Sequence, residues 1–173
     1  HMHFDVEAIR AQFPSVRDNK AVFFDNPAGT QVSERVIDAV RDYYQHANAN
    51  SGGAFLTSKR NDELTHAARA WLADFLNAPR VDEVVFGPNM TTLNFGLSRA
   101  IAQTLSAGDE IILTRMDHDA NVSPWLRIAE DNDLTVKWID LNPEDGTLNM
   151  TSYQNALSER TRLVATVHAS NAL

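Results

Sequence analysis

The chain has no cysteine among its 173 residues, which rules out a disulfide frame, a thiolate metal cage and a cysteine nucleophile within it. Lysine is nearly as scarce, with only Lys20, Lys59 and Lys137. No G-x-G-x-x-G or P-loop turn is present, so a nucleotide-binding doubly wound enzyme, which opens on such a turn, ranks last among the α/β readings. No internal repeat or low-complexity tract occurs. No apolar run approaches the roughly 20 residues that span a bilayer, and the N-terminus lacks the charged-then-apolar order of a secretory signal. The expectation is a cytoplasmic protein with no membrane partner. The formal charge of -8, with both signs interspersed, argues against a nucleic-acid partner. Any anionic ligand must therefore be held by local geometry. His1-Met2 reads as the remnant of a cleaved tag and is set aside.

What is present is enough apolar residue, 43%, for one real core, with one domain plus a short arm as the default. Asp5 followed by Val6, Ile9 and Phe13 reads as a short capped helix that Pro14 stops. Ala21 to Phe24 is a brief strand-like run. The turn-rich Asp25-Asn26-Pro27-Ala28-Gly29-Thr30-Gln31 is either a substrate-facing loop or a tight turn. Ser33 caps a helix with one buried face, formed by Val36, Ile37, Val40, Tyr43 and Tyr44. Residues 48–57, with Gly52 and Gly53 adjacent, lose periodicity and read as a functional or interface loop. The helix over Ser58 to Asn77 puts Leu64, Trp71, Leu72 and Phe75 on one side, with the aromatic pair expected in the core.

After Pro79 strands and helices alternate. Glu83 to Phe86 reads as a strand, Thr91 to Leu105 as a helix, and Ile111 to Thr114 as a strand buried on both faces after the Gly108-Asp109 turn. A helix through Trp125 and Ile128, a strand over Leu134 to Leu141, a helix near Tyr153 to Leu157 and a strand over Leu163 to Val167 follow. This alternation implies an α/β fold with a mostly parallel sheet and helices on both faces.

Three polar crests fall at the carboxyl edge of that sheet, where open α/β folds bind ligands. Phe86 to Thr92 is a tight turn into a helix, and free amides at a helix N-terminus beside threonine hydroxyls suit an anion, above all phosphate. Ordinary capping by Asn89 or Thr91 accounts for that turn equally well. His118 lies just past the central strand. Its flanking Asp117 and Asp119 invite a metal, but consecutive residues converge poorly on one ion and no second histidine stands at ligand spacing, so no metal site is expected. His168-Ala169-Ser170-Asn171 ends the last strand, with Asn171 offering both a donor and an acceptor. An anion turn, a histidine and an asparagine on one edge describe a pocket for a phosphorylated, ring-bearing ligand.

These residues resemble a known family. Met116-Asp117-His118-Asp119-Ala120-Asn121 with Pro124-Trp125, the terminal His168-Ala169-Ser170-Asn171-Ala172-Leu173, and Phe24-Asp25-Asn26-Pro27-Ala28-Gly29 are together similar to the class V aminotransferases of fold type I, in the cysteine-desulfurase-like branch. The motifs keep the family's order over nearly the whole chain. The resemblance implies a pyridoxal 5'-phosphate enzyme acting on a small amino acid, built as a homodimer, with a transferase or lyase outcome. It implies that the turn at Met90 and Thr91 holds the cofactor phosphate. It also implies that His118 stacks on the ring and exchanges protons as the catalytic residue, that Asn171 bonds the ring hydroxyl, and that Ala28 and Gly29 face the substrate.

The implied organisation is an arm and substrate-facing loop over 1–32, helices and a glycine-rich loop over 33–78, and the first part of the cofactor-binding α/β domain over 79–173. Family members run to roughly twice this length, more than a typical single domain. The Schiff-base lysine, the aspartate on the pyridine nitrogen and any persulfide cysteine are therefore expected beyond Leu173, and apolar faces and strand edges are expected to lie open here. The sequence departs from the family at Met90-Thr91-Thr92, at Asp119 and at Ser51-Gly52-Gly53, which leaves the substrate open. The alternative from another class is a non-catalytic binding module or subunit that keeps the pocket without the lysine.

Overall fold

The computed structural model describes residues 4–19 and 22–173. The chain divides into two compact units, one ending at Val85 and the other running from Phe86 to Leu173.

The first unit is helical. Asp5 accepts the amide of Ala8 at 3.0 Å and starts α1, Val6–Arg10. α1 ends at Arg10, before it reaches the expected Phe13 and Pro14, and Pro14 instead opens a second short helix, α2, Pro14–Arg17, with Phe13 at its N-cap position. A ring that lacks N–H and has φ already fixed suits a first helical position. The long helices are α3, Glu34–His46, and α4, Leu56–Leu76, the latter ending on Asn77 in the left-handed region at φ 53°. Ser33 holds the N-cap position of α3 without a side-chain bond; the Glu34 amide goes instead to the Gln12 carbonyl at 2.8 Å.

Two expectations about this unit fail for one reason. No residue of α3 is buried, and on α4 the buried residues are Ser58, Asn61 and Ala73, while Trp71 is 79% and Phe75 83% exposed. Amphipathic spacing shows that a face wants a cover; it does not supply one. The polar side is buried because α4 organises the loop over 48–57. Asp62 accepts the Gly52 amide at 3.0 Å, Ser58 accepts that of Gly53 at 2.7 Å, and Asn61 joins the Tyr43 hydroxyl to Ser51. Gly52 sits at φ 80°, and a Cβ on Gly53 would lie 2.9 Å from the Ser58 hydroxyl, so both glycines are required there.

Neither of the two early strand expectations is met. Ala21 lies outside the described residues and 22–25 have no regular structure. Residues 81–83 form a 3-10 turn with extended backbone after it, outside the sheet. Arg80 holds that turn through a two-pronged contact to Asp82 at 2.9 and 2.7 Å. An apolar run becomes a strand only where a neighbour completes its ladder.

The second unit is the expected α/β fold. Its order is α5 Met90–Ala102, β1 Glu110–Thr114, α6 Ser123–Asp131, β2 Thr135–Ile139, α7 Met150–Ala156 and β3 Thr161–Val164. The sheet order is β2-β1-β3, all parallel. β1 is central, and Ile111, Ile112, Leu113 and Thr114 have no exposed surface. Alternate residues face opposite layers. Ile111 and Leu113 pack with Trp125 and Ile128 of α6 and with Ile101 and Ala102 of α5. Ile112 packs with Ile139, Ala156 and Tyr153 on the α7 side. Helices thus cover both faces.

Two features set the lower edge of the sheet. Gly108 takes φ 80°, donates to the Asp133 carbonyl at 2.8 Å and leaves a Cβ only 3.2 Å from the Arg160 guanidinium. At the start of β1, Glu110 accepts from Lys137 at 2.7 Å and from the Ser158 hydroxyl at 2.6 Å. The Lys137 ammonium first, and the Ser158 hydroxyl second, hold the Glu110 carboxyl below the usual glutamate range.

Gly108→Ala is expected to lower stability by about 1–2 kcal/mol through left-handed backbone strain, read as a fall in the urea midpoint of the full-length protein; an unchanged midpoint would show that the turn relaxes. A depressed carboxyl pKa contributes stability that is present above the ordinary value and lost as pH falls through the folded-state value. Glu110→Gln should therefore flatten the acid limb of the stability-against-pH curve below about pH 4.5, whereas parallel curves for the two proteins would remove Glu110 from acid unfolding.

Candidate active site

The site is built where the chain leaves the carboxyl ends of β1 and β3 and enters α5. Asn89, extended at φ -171°, accepts the Thr92 amide at 2.9 Å and so caps α5. This settles the open choice between Asn89 and Thr91 as the cap. It also leaves the Met90 and Thr91 amides and the Thr91 hydroxyl at the helix end without an intrahelical partner, which is the arrangement that attracts an anion.

After Thr114 the chain turns through Asp117 and His118 into a 3-10 turn, residues 119–121, and then α6 with Pro124 in its first turn. The His118 ring caps that 3-10 turn. Its Nδ1 accepts the Ala120 amide at 3.0 Å, so in the neutral ring the proton sits on Nε2. Asp119 accepts from the Ser123 hydroxyl at 2.7 Å, and Asp117 accepts from Asn121 at 2.6 Å. The two carboxylates beside His118 thus build turns.

The third wall follows β3. That strand ends at Val164, earlier than the expected Val167, although β1 runs on past its last β3 partner, Ile112, to Thr114. The Ala165 amide still reaches the Ile112 carbonyl at 2.9 Å, but the Val167 amide goes to the Asp117 carboxylate at 3.1 Å. The chain then runs through His168 to Asn171, where the Ser170 hydroxyl accepts the amides of Ala172 and Leu173 at 3.1 and 3.2 Å.

These walls enclose a cavity of about 820 Å³, within the usual size of small-molecule sites. Met90, Thr91, His118 and Asn171 all line it, so the structure brings together the four cofactor-site residues read from the sequence. Ala28 and Gly29 lie in the other unit, at the end of a 3-10 turn over 26–28. There the Thr30 hydroxyl donates to the Asn26 carbonyl at 2.9 Å and Gln31 to the Gly29 carbonyl at 3.0 Å.

Sequence reasoning gave no role to Asn94, Asp117 or His168, which also line the cavity. Asn94 stands one helical turn after Met90 and Thr91 and donates to the Ala120 carbonyl at 2.9 Å and to Asn121 at 3.3 Å. That i+3 spacing on a largely apolar helix was the available signal. Among the described residues no lysine lines the cavity. Lys137 is engaged by Glu110 and by the Ala156 carbonyl at 3.0 Å.

The chain is 34% identical over 98% of its length to the cysteine desulfurase of Synechococcus elongatus and to an aminotransferase-like protein of Gibberella zeae, spanning 28% and 42% of those relatives. It superposes on the crystal structure of the cysteine desulfurase CsdA of Escherichia coli with a TM-score of 0.82, at 28% identity, covering 98% of this chain and 42% of that one. It therefore spans less than half the length of the proteins it matches. The model of the aminotransferase class-V family matches residues 22–173, the stretch that contains the whole cavity and the turn at Ala28 and Gly29, and the chain belongs to that family.

Proposed function

We propose that this chain supplies the phosphate and ring-face side of the cofactor site in a pyridoxal 5'-phosphate enzyme acting on a small amino acid. The observation that carries this is the convergence, in one cavity, of the uncapped α5 amides, the His118 imidazole and the Asn171 amide. The donor set fits the group. The first turn of α5 offers amides and a hydroxyl to a phosphate, a flat imidazole suits a conjugated ring, and Asn171 matches a phenolic oxygen. Bound there, pyridoxal phosphate supplies an electron sink for the pair left when a substrate Cα bond breaks.

The chain's own residues bind, orient and move a proton. The amides of Met90 and Thr91 would anchor a dianion through the positive end of the α5 dipole. His118 has Nδ1 held by the Ala120 amide, so the proton it delivers is the one on Nε2. Asn171 would offer its side-chain amide to the ring hydroxyl. The turn at Ala28 and Gly29, tied by Thr30 and Gln31, belongs to the substrate side of the same reading. Transamination, elimination and sulfur abstraction share these first steps. A homodimer is part of the proposal, supported by the uncovered apolar faces of α3 and α4.

In the full-length protein a visible absorption band that borohydride bleaches, with cofactor fixed to a lysine, is the expected result. No band after added pyridoxal phosphate would leave a pocket without this chemistry and favour the binding module. His118→Ala should slow turnover by about 100-fold or more while changing cofactor affinity far less; equal turnover in the two proteins would remove His118 from proton transfer.

A further inference from the structure

The walls of the cavity are joined at one side chain. Asp117 Oδ1 accepts from Asn121 Nδ2 at 2.6 Å. Its Oδ2 accepts both the Thr114 hydroxyl and, from 50 residues further along the chain, the Val167 amide at 3.1 Å. Thr114 is fully buried at the end of β1. Asn121 carries the connection onward, since its Oδ1 accepts the Trp125 indole N–H at 3.0 Å and Asn94 Nδ2 at 3.3 Å. A single path of hydrogen bonds therefore runs from α5, through the 3-10 turn, to Asp117 and on to the segment after β3. His118 adjoins Asp117 on one side of this tie, and Asn171 lies four residues past Val167 on the other.

We propose that Asp117 is the positioning residue of this site, the one carboxylate that fixes the wall carrying His118 to the wall carrying Asn171. The geometry there suits a carboxylate. It accepts three donors and donates none, and bonds to a charged acceptor are stronger than neutral ones. Thr114, Asn121 and Val167 each present a donor, so an amide in its place would turn its own NH2 toward at least one of them. The last backbone bond from this segment to β1 is that of the Ala165 amide to the Ile112 carbonyl, and two residues on the Val167 amide goes to Asp117 in place of the ladder. Past Ala165, the other bonds that hold the Asn171 wall among the described residues include the local ones from the Ala172 and Leu173 amides to the Ser170 hydroxyl. Asp117 touches neither substrate nor cofactor in this role. It sets the spacing between two groups that do.

This inference rests on the reading that the cavity holds pyridoxal phosphate, and its test separates the two. In the full-length protein freed of cofactor, Asp117→Asn should speed amide hydrogen exchange at Val167 and its neighbours by about tenfold or more, the scale of one lost bond to a charged group. The amides of Ile112 and Leu113 should stay protected. On adding pyridoxal phosphate, the variant should bind about tenfold more weakly and show a diminished visible circular-dichroism band, the mark of a ring held less uniquely. Unchanged exchange at Val167, or protection lost equally across β1, overturns the proposal, the second because it would make Asp117 a general fold contact. If Asp117→Asn does not fold, Thr114→Val removes one of the partners of Oδ2 and must give the same localised pattern in weaker form; none at all overturns it. If the unaltered protein fails to bind pyridoxal phosphate, the cofactor reading falls while the exchange comparison still decides what Asp117 does.

Discussion

Four consecutive side chains of β1, Ile111 to Thr114, are shut away from water, and the place of every site residue in the second unit follows from how that burial is achieved. A strand covered on both faces needs a layer on each side. Here α5 and α6 cover Ile111 and Leu113, and α7 covers Ile112. Fully burying one such side chain is worth about 1.5–3 kcal/mol, so the three aliphatic residues together outweigh any one polar contact at the site. The strand cannot slip by one residue without exchanging its two faces. The register thereby sets where Thr114 ends and where Asp117 and His118 emerge.

The end of a buried parallel strand is also where polar chemistry becomes affordable. Backbone groups that leave the ladder need new partners, and side chains near the exit supply them. His118 takes the Ala120 amide, Asp117 takes that of Val167, and Asn89 takes that of Thr92. Each of these bonds serves local folding and at the same time orients a wall of the cavity. The same groups that would be read as caps in any α/β protein become a site because three of them face one cavity.

How much of this was legible follows from where each signal resides. β1 and the helices that cover it were readable because two-sided burial imposes a continuous apolar run and helical spacing on the residues themselves. Thr91, His118 and Asn171 stood out as polar groups near strand ends and a helix start, the family resemblance added Met90, and the structure places all four along one cavity. What could not be read depended on partners distant in sequence. The role of Asp117 needs Val167, 50 residues away. The exposure of Trp71 and Phe75 depends on what lies over α4, and the apolar residues at 84–86 needed a neighbouring strand to become one. Pro14 was ambiguous in itself, since a ring that stops one helix also suits the first position of the next, and here it opens α2 after α1 has already ended at Arg10.

The electrostatics of the site resolve an apparent conflict. The chain carries a net charge of -8, yet the proposed ligand of the cavity beside α5 is an anion. No lysine lines that cavity among the described residues, and the carboxylate on its wall, Asp117, has its oxygens turned to the Thr114, Asn121 and Val167 donors. What this chain offers an anion there is oriented dipoles, the amides at the start of α5, which act at short range. A surplus of negative charge elsewhere on the chain is screened over about 8–10 Å at physiological salt, whereas amides in contact with an anion are not. A fixed helix end thus selects its ligand by shape and hydrogen bonding where a basic patch would gather anions indiscriminately. The burial of β1 and the bonds of Asp117 to Thr114, Asn121 and Val167 are what hold the cavity walls in place around that helix end.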